Sequence, residues 1–167
     1  LMRRRREMQW AARINNALEE DRFELYRMTI QPLQTEETGS HYEILLRMRD
    51  EAGALVSPDL FISAAERYGL ISNIDRWVVE HAFLWLVSEA DERERLALCS
   101  INLSGSSLAD NEFLPFVIRQ FQRSGLDASK ICFEITETAA IASFAQASRF
   151  INALKELGCK FALDDFG

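Results

Sequence analysis

The chain has 167 residues, 48% hydrophobic and 27% charged, the profile of a soluble globular domain rather than a fibrous or disordered one. Its 26 acidic residues outnumber 19 basic ones for a formal charge of −7, and setting aside the run Arg3–Arg6 leaves 15 against 26. An acidic body argues against electrostatic binding of a nucleic-acid polymer or a membrane surface, and no apolar run approaches the roughly 20 residues of a membrane span.

The basic start is followed by polar amphipathic sequence, not by the apolar core of a secretory signal. Residues 7–21 predict a helix, with Trp10, Ile14, Ala17 and Leu18 recurring at three- and four-residue steps. The arginines before it read as a solvated lead-in. Residues 23–31 predict a strand that Pro32 ends or edges, and 35–40 a turn containing Gly39. Residues 42–49 alternate with period 2. Glu43, Leu45 and Arg47 point one way, and Ile44, Leu46 and Met48 the other. Two strands this close imply a hairpin.

A helix begins at Ser57-Pro58, with Ser as cap and Pro in the first turn, and stops at Gly69. A longer helix runs from Ile74 to about Ala90. His81 lies on it beside Trp77 and Trp85, so packing is the reading there. LALCSINLS, 96–104, is nearly continuous in apolar residues and predicts a buried strand. The pattern then turns regular: a helix over 112–124 closed by Gly125, a strand over 130–136, a helix over 143–157 closed by Gly158, and a strand over 159–164. Alternating strands and helices imply a parallel sheet in an α/β fold. Cys99, Cys132 and Cys159 each sit in apolar sequence without metal-type spacing. They predict buried free thiols in a reducing, cytoplasmic setting, with membrane anchoring through other segments left open.

Polar residues interrupt this pattern at strand ends. Glu43 breaks the second strand, Asn102 the third and Glu134 the fourth, while Asp164 and Asp165 end the fifth. An unpaired buried carboxylate is costly. A divalent Mg²⁺ or Mn²⁺ explains all of them together, because such ions take oxygen donors. Donors in α/β barrels collect at the carboxyl ends of strands, and two ions suit phosphoryl chemistry. Other readings exist for each residue alone. Glu43 could pair with Arg47 or Arg27, and Asn102 could serve a turn. Glu134 and Glu137 could be surface charges, and Asp164-Asp165 could form an Asx turn. Arg47 lies about 13 Å beyond Glu43 on the same face at about 3.3 Å per residue. That position suits a phosphate oxygen or a salt bridge to a loop acid.

At these residues the chain resembles the EAL domain, the bacterial cyclic di-GMP phosphodiesterase family, from about Phe23 to Gly167. Gln31-Pro32-Leu33 resembles its entry strand, and Glu43-Ile44-Leu45-Leu46-Arg47 its Glu-Ala-Leu-x-Arg signature with Ile44 replacing Ala. Pro58-Asp59-Leu60-Phe61-Ile62, Ile101-Asn102-Leu103-Ser104, Glu134-Ile135-Thr136-Glu137 and Asp164-Asp165-Phe166-Gly167 follow in order. The resemblance implies a TIM-type (β/α)₈ barrel with an antiparallel first strand, of which about five strands are in this sequence. It implies a two-metal site with Mg²⁺ or Mn²⁺ on Glu43, Asn102, Glu134, Asp164 and Asp165. It gives catalytic roles to Glu43, Asp164, Asp165 and Glu137, the last holding the loop after the Asp-Asp pair. Gln31, Leu45, Arg47 and Pro58 would contact the substrate. The reaction implied is hydrolysis of cyclic di-GMP to the linear dinucleotide.

The family continues past Asp-Asp-Phe-Gly with three more strands, a lysine and further acids. The sequence is therefore expected to be a connector helix, 1–22, and the N-terminal part of an EAL domain, 23–167, inactive by itself and with open sheet edges. An upstream GGDEF or sensor domain and a homodimer are the expected partners, with no nucleic-acid polymer. The competing expectation is a degenerate domain that binds cyclic di-GMP without cleaving it. Its feature would be lost metal ligands, and none is lost here.

Overall fold

The hairpin forms the edge of a six-stranded sheet in the computed structural model, which describes residues 1–31 and 39–164. Its arms are β1 (Phe23–Ile30) and β2 (Ser40–Arg49), antiparallel with Met28 opposite Glu43. A two-residue strand, β3 (Leu55–Val56), pairs with the end of β2. The strands β4 (Leu96–Leu103), β5 (Ile131–Thr136) and β6 (Lys160–Asp164) then add in parallel, giving the order β1-β2-β4-β5-β6. An antiparallel first strand followed by sequential parallel strands and helical crossovers is the arrangement of part of a TIM-type barrel.

The helices are α1 (Met2–Glu19), α2 (Pro58–Arg67), α3 (Ile71–Ser88), α4 (Ala90–Arg95), α5 (Gly105–Ala109), α6 (Phe113–Ser124), α7 (Glu137–Ala142) and α8 (Phe144–Leu157). Strand alternation decides which side chains they cover. Tyr42, Ile44 and Met48 of β2, Cys99, Ile101 and Leu103 of β4, and Ile131, Phe133 and Ile135 of β5 are all buried in one core. Phe133 meets Phe150 of α8 and Phe161 of β6 at centroid distances of 6.1 and 5.9 Å, and Phe113 of α6 lies 5.9 Å from Phe150. Such aromatic packing locks the crossovers onto the sheet. The opposite face, carrying Glu43, Leu45, Arg47, Asn102 and Glu134, is only partly covered.

The differences from the predicted elements have physical causes. The first helix extends back to Met2 through the arginines, which are good helix formers even without an apolar face. Ser57 makes no side-chain capping bond; its carbonyl accepts from the Leu60 amide at 3.1 Å instead. The long helix starts three residues earlier, at Ile71. The elements β3, α4, α5 and α7 have two to six residues each, too few to show a period. Gly125 and Gly158 close α6 and α8 in the left-handed conformation as expected. Pro32, Leu33 and most of the predicted 35–40 turn lie outside the described residues.

The three thiols are buried and free, and burial pushes Cys99 and Cys159 up to about 12. His81 stacks on Trp77 at 3.9 Å, a packing role. Among the described residues no helix is long and apolar enough to cross a membrane.

Candidate functional site

Strand register assembles the polar residues. Glu43 on β2 is level with Ser100 on β4, and Asn102 on β4 is level with Glu134 on β5. Glu134 is level with Ala162 on β6, and Asp164 with Thr136. Counted along the strands, Asn102 lies two residues beyond the level of Glu43, Glu134 is level with Asn102, and Asp164 lies two residues beyond Glu134, a stagger toward the carboxyl ends of the kind barrel shear produces. All lie on the sheet face opposite the helices, because each is an even number of residues from its register partner on that face.

Asn102 donates its side-chain Nδ2 to Oε1 of Glu43 at 3.2 Å, which joins β4 to β2. Arg27 pairs with Glu92 at 3.2 Å, and Arg47 has no carboxylate partner among the described residues, so Glu43 is not the structural ion pair that its sequence neighbours allowed. Burial raises the Glu134 carboxyl above the usual carboxylate range, and the negative charges of Glu43 and Asp164 push it further; the Ser100 hydroxyl bonds it and opposes the rise.

The donors are three carboxylates and an amide, the oxygen chemistry of Mg²⁺ or Mn²⁺. Like charge pressing on a half-buried Glu134 is what a divalent cation would neutralise, so the residues fit the ion that the resemblance implies. Among the described residues, no three acidic, histidine or cysteine side chains close on one point; the donors form a staggered rim. Asp165 lies outside the described residues.

Arg47 sits four residues further along β2, past the level where β4 ends. Its guanidinium lies 5.7 Å from the Tyr26 ring and donates to the carbonyl of Leu46 at 2.8 Å. Leu45, half-buried, occupies the same face between Glu43 and Arg47. Pro58 opens α2 two residues after Val56, which pairs with Met48 near that end of β2. Glu137 is exposed at the first position of α7, whose cap is the Thr136 hydroxyl accepting from the Ala139 amide at 3.1 Å. Gln31 is not brought to this group. It follows the last residue of β1, next to the pair Ile30–His41, at the opposite end of β2 from Arg47.

Sequence reading missed Asp75 on α3. It is 7% exposed. Its Oδ2 accepts from the Ser104 amide at 2.9 Å, the Ser104 hydroxyl at 2.7 Å and the Ser107 hydroxyl at 2.6 Å. Burial pushes its carboxyl up to about 6 against those bonds. The signal was an acid on the apolar stripe of Ile71, Ile74 and Val78.

The EAL domain family model matches residues 11–167. The cyclic di-GMP phosphodiesterase PdeB of Shewanella oneidensis is 39% identical over 158 residues, 95% of this chain and 18% of that protein. PdeF of Escherichia coli, also a cyclic di-GMP phosphodiesterase, is 36% identical over 157 residues, 93% and 20% of the respective chains. The FimX EAL domain of Pseudomonas aeruginosa bound to c-di-GMP superposes with a TM-score of 0.85 at 30% identity, covering 95% of this chain and 62% of that one. The chain spans about a fifth of the length of these curated relatives.

Proposed function

The chain belongs to the EAL domain family, and on that premise we propose that the protein of which it is part hydrolyses one phosphodiester of cyclic di-GMP to give the linear dinucleotide. The observation that carries the reading is the staggered row of Glu43, Glu134 and Asp164 with Asn102 bonded to Glu43. Those four residues, with Asp165, would hold Mg²⁺ or Mn²⁺. When bound, such ions lower the pKa of water and offset charge developing on phosphoryl oxygens.

The chain's own groups supply the remaining functions. Asn102 fixes the Glu43 carboxylate by donating to one oxygen, leaving the other as a donor to a cation. Arg47, carrying a charge with no carboxylate partner among the described residues, holds a phosphate oxygen of the substrate at the open end of β2. Tyr26 backs its guanidinium. Leu45 and Pro58 line the approach to the same end. Gln31 stands apart from this group, so a role for it in nucleotide contact requires the substrate to reach the other end of β2.

The test is incubation of the intact protein with cyclic di-GMP and Mn²⁺ or Mg²⁺, with products separated by chromatography. Linear dinucleotide that disappears with chelator is the expected result. Binding of cyclic di-GMP with no turnover in either metal would replace hydrolysis by a receptor role.

A further inference from the structure

The turn after β4 is held from behind by one face of α3. Ser72, Asp75 and Arg76 lie at spacings of three and four, so they share that face. Asp75 gathers both Ser104 donors and the Ser107 hydroxyl at the start of α5. Ser72 and Arg76 each bond Oδ2 of Asp110, at the end of α5, at 2.9 Å. The short helix is thus clamped at both ends.

Helix formation alone does not require Asp75. The Ser104 hydroxyl already caps α5 by accepting from the Ser107 amide at 3.2 Å. A buried carboxylate is a poor stabilising device, because its desolvation opposes the bonds it makes. What the carboxylate adds is position. Ser104 is two residues after Asn102 on the same strand end, so fixing its amide and hydroxyl fixes the direction in which Asn102 leaves the sheet. The clamp also reaches β5. A Cβ at Gly105 would stand 3.2 Å from Cβ of Ala139, so α5 and α7 meet closely just past Glu137. A displaced start of α5 would disturb the exits of both strands that carry the donors, whereas its far end at Asp110 lies away from them.

We propose that Asp75 is a positioning residue for the site: through Ser104 and Ser107 it sets Asn102, and through Asn102 the carboxylate of Glu43. The proposal rests on the metal-dependent reading above only for its consequence on cation binding; the positioning of Asn102 stands without it. Partners that orient a ligand without touching the metal commonly change affinity or activity about 10–100-fold when removed.

The experiment compares Asp75→Asn, Ser107→Ala and, as a control on the other clamp, Asp110→Ala in the intact protein. Mn²⁺ binding is followed by titration, and the Asn102 side-chain amide by NMR with ¹⁵N-asparagine labelling. Asp75→Asn and Ser107→Ala are expected to move the Asn102 resonance and raise the Mn²⁺ concentration for half-saturation about tenfold or more. Asp110→Ala is expected to lower the melting temperature with Mn²⁺ affinity held within about twofold. If Asp75→Asn does not fold, Ser107→Ala carries the comparison, since it deletes one hydroxyl. An unmoved Asn102 resonance with unchanged Mn²⁺ affinity in the folded variants would overturn the inference. Should the wild-type protein neither bind Mn²⁺ nor cleave cyclic di-GMP, the functional reading fails. The positioning role then stands if the Asn102 resonance moves in the variants and falls if it does not.

Discussion

Asn102 on β4 reaches across to Glu43 on β2 with a 3.2 Å hydrogen bond from its side-chain amide. Two neighbouring strands are thereby joined through residues 59 apart in sequence that carry the proposed chemistry. The bond uses Nδ2, so Oδ1 of Asn102 and Oε2 of Glu43 are left for another partner. An amide here is well chosen: a third carboxylate beside Glu43 and Glu134 would add like charge to a region where Glu134 is already pushed toward protonation.

Glu43→Gln keeps the shape and an acceptor for Asn102 but removes the charge. Hydrolysis of cyclic di-GMP should fall about 100-fold or more, because a ligand to the cation is lost. Stability should stay within about 0.5 kcal/mol of wild type or rise, since repulsion on Glu134 is relieved. Turnover in Mn²⁺ and urea unfolding, measured side by side, check both halves. A variant that loses activity only in proportion to its stability would show Glu43 to be a structural residue.

Arg47 makes no ion pair among the described residues, only a bond to its neighbour's carbonyl and a contact with Tyr26. Its replacement by Ala should therefore leave unfolding free energy within about 0.5 kcal/mol. A charge-assisted bond to phosphate is worth about 1.5–3 kcal/mol, so KM for cyclic di-GMP should rise about 10–100-fold. Arg47→Lys should recover only part, lacking the two-pronged geometry. Steady-state kinetics at saturating metal separate this from a loss confined to kcat, which would count against a binding role.

The site was legible because strands record their two faces in alternation. Glu43, Asn102 and Glu134 stood out as polar residues in apolar runs, and Glu43, Leu45 and Arg47 fall on one face as the period-2 pattern requires. The stagger of the acids was not legible, since register between strands is a tertiary property. Gln31 was grouped with Arg47 by motif order, yet an antiparallel first strand puts its end at the other end of β2. Asp75 was hidden for a different reason: its partners Ser104 and Ser107 are about 30 residues away, and a lone acid in an amphipathic helix ordinarily faces water. The short helices α5 and α7 start at the side-chain caps Ser104 and Thr136, and neither they nor α4 leave a periodic trace in six residues or fewer.

Phe150 provides a test of the packing that supports β5. Its side chain is 2% exposed and touches the rings of Phe113, Phe133 and Phe161. Phe150→Ala should reduce unfolding free energy by about 3–5 kcal/mol, the transfer and cavity contributions together. Phe144, six residues earlier on the same helix, is 73% exposed, and its replacement by Ala should change stability by no more than about 0.5 kcal/mol. Equal losses at the two positions in denaturant titrations would contradict the observed burial of α8.

Asp75 makes stability depend on acid in a specific direction. Its carboxyl is pushed from 3.8 up to about 6, first by burial and further by Glu66, against the bonds from Ser107 and Ser104. Arg76 does not compensate, because its guanidinium is bonded to Asp110. An acid whose folded pKa is raised binds its proton more tightly in the native state than in the unfolded one. Its contribution is therefore most favourable below about pH 4 and is lost as pH rises through about 6. The loss is on the order of 3 kcal/mol at 1.36 kcal/mol per pH unit. Other groups titrate in this range, so the measurement is the difference between wild type and Asp75→Asn. That variant cannot ionise at position 75, and its stability relative to wild type should rise steadily from pH 4 to pH 6 and level off above. A flat difference across that window would mean that the three donors stabilise the Asp75 carboxylate as well as water does.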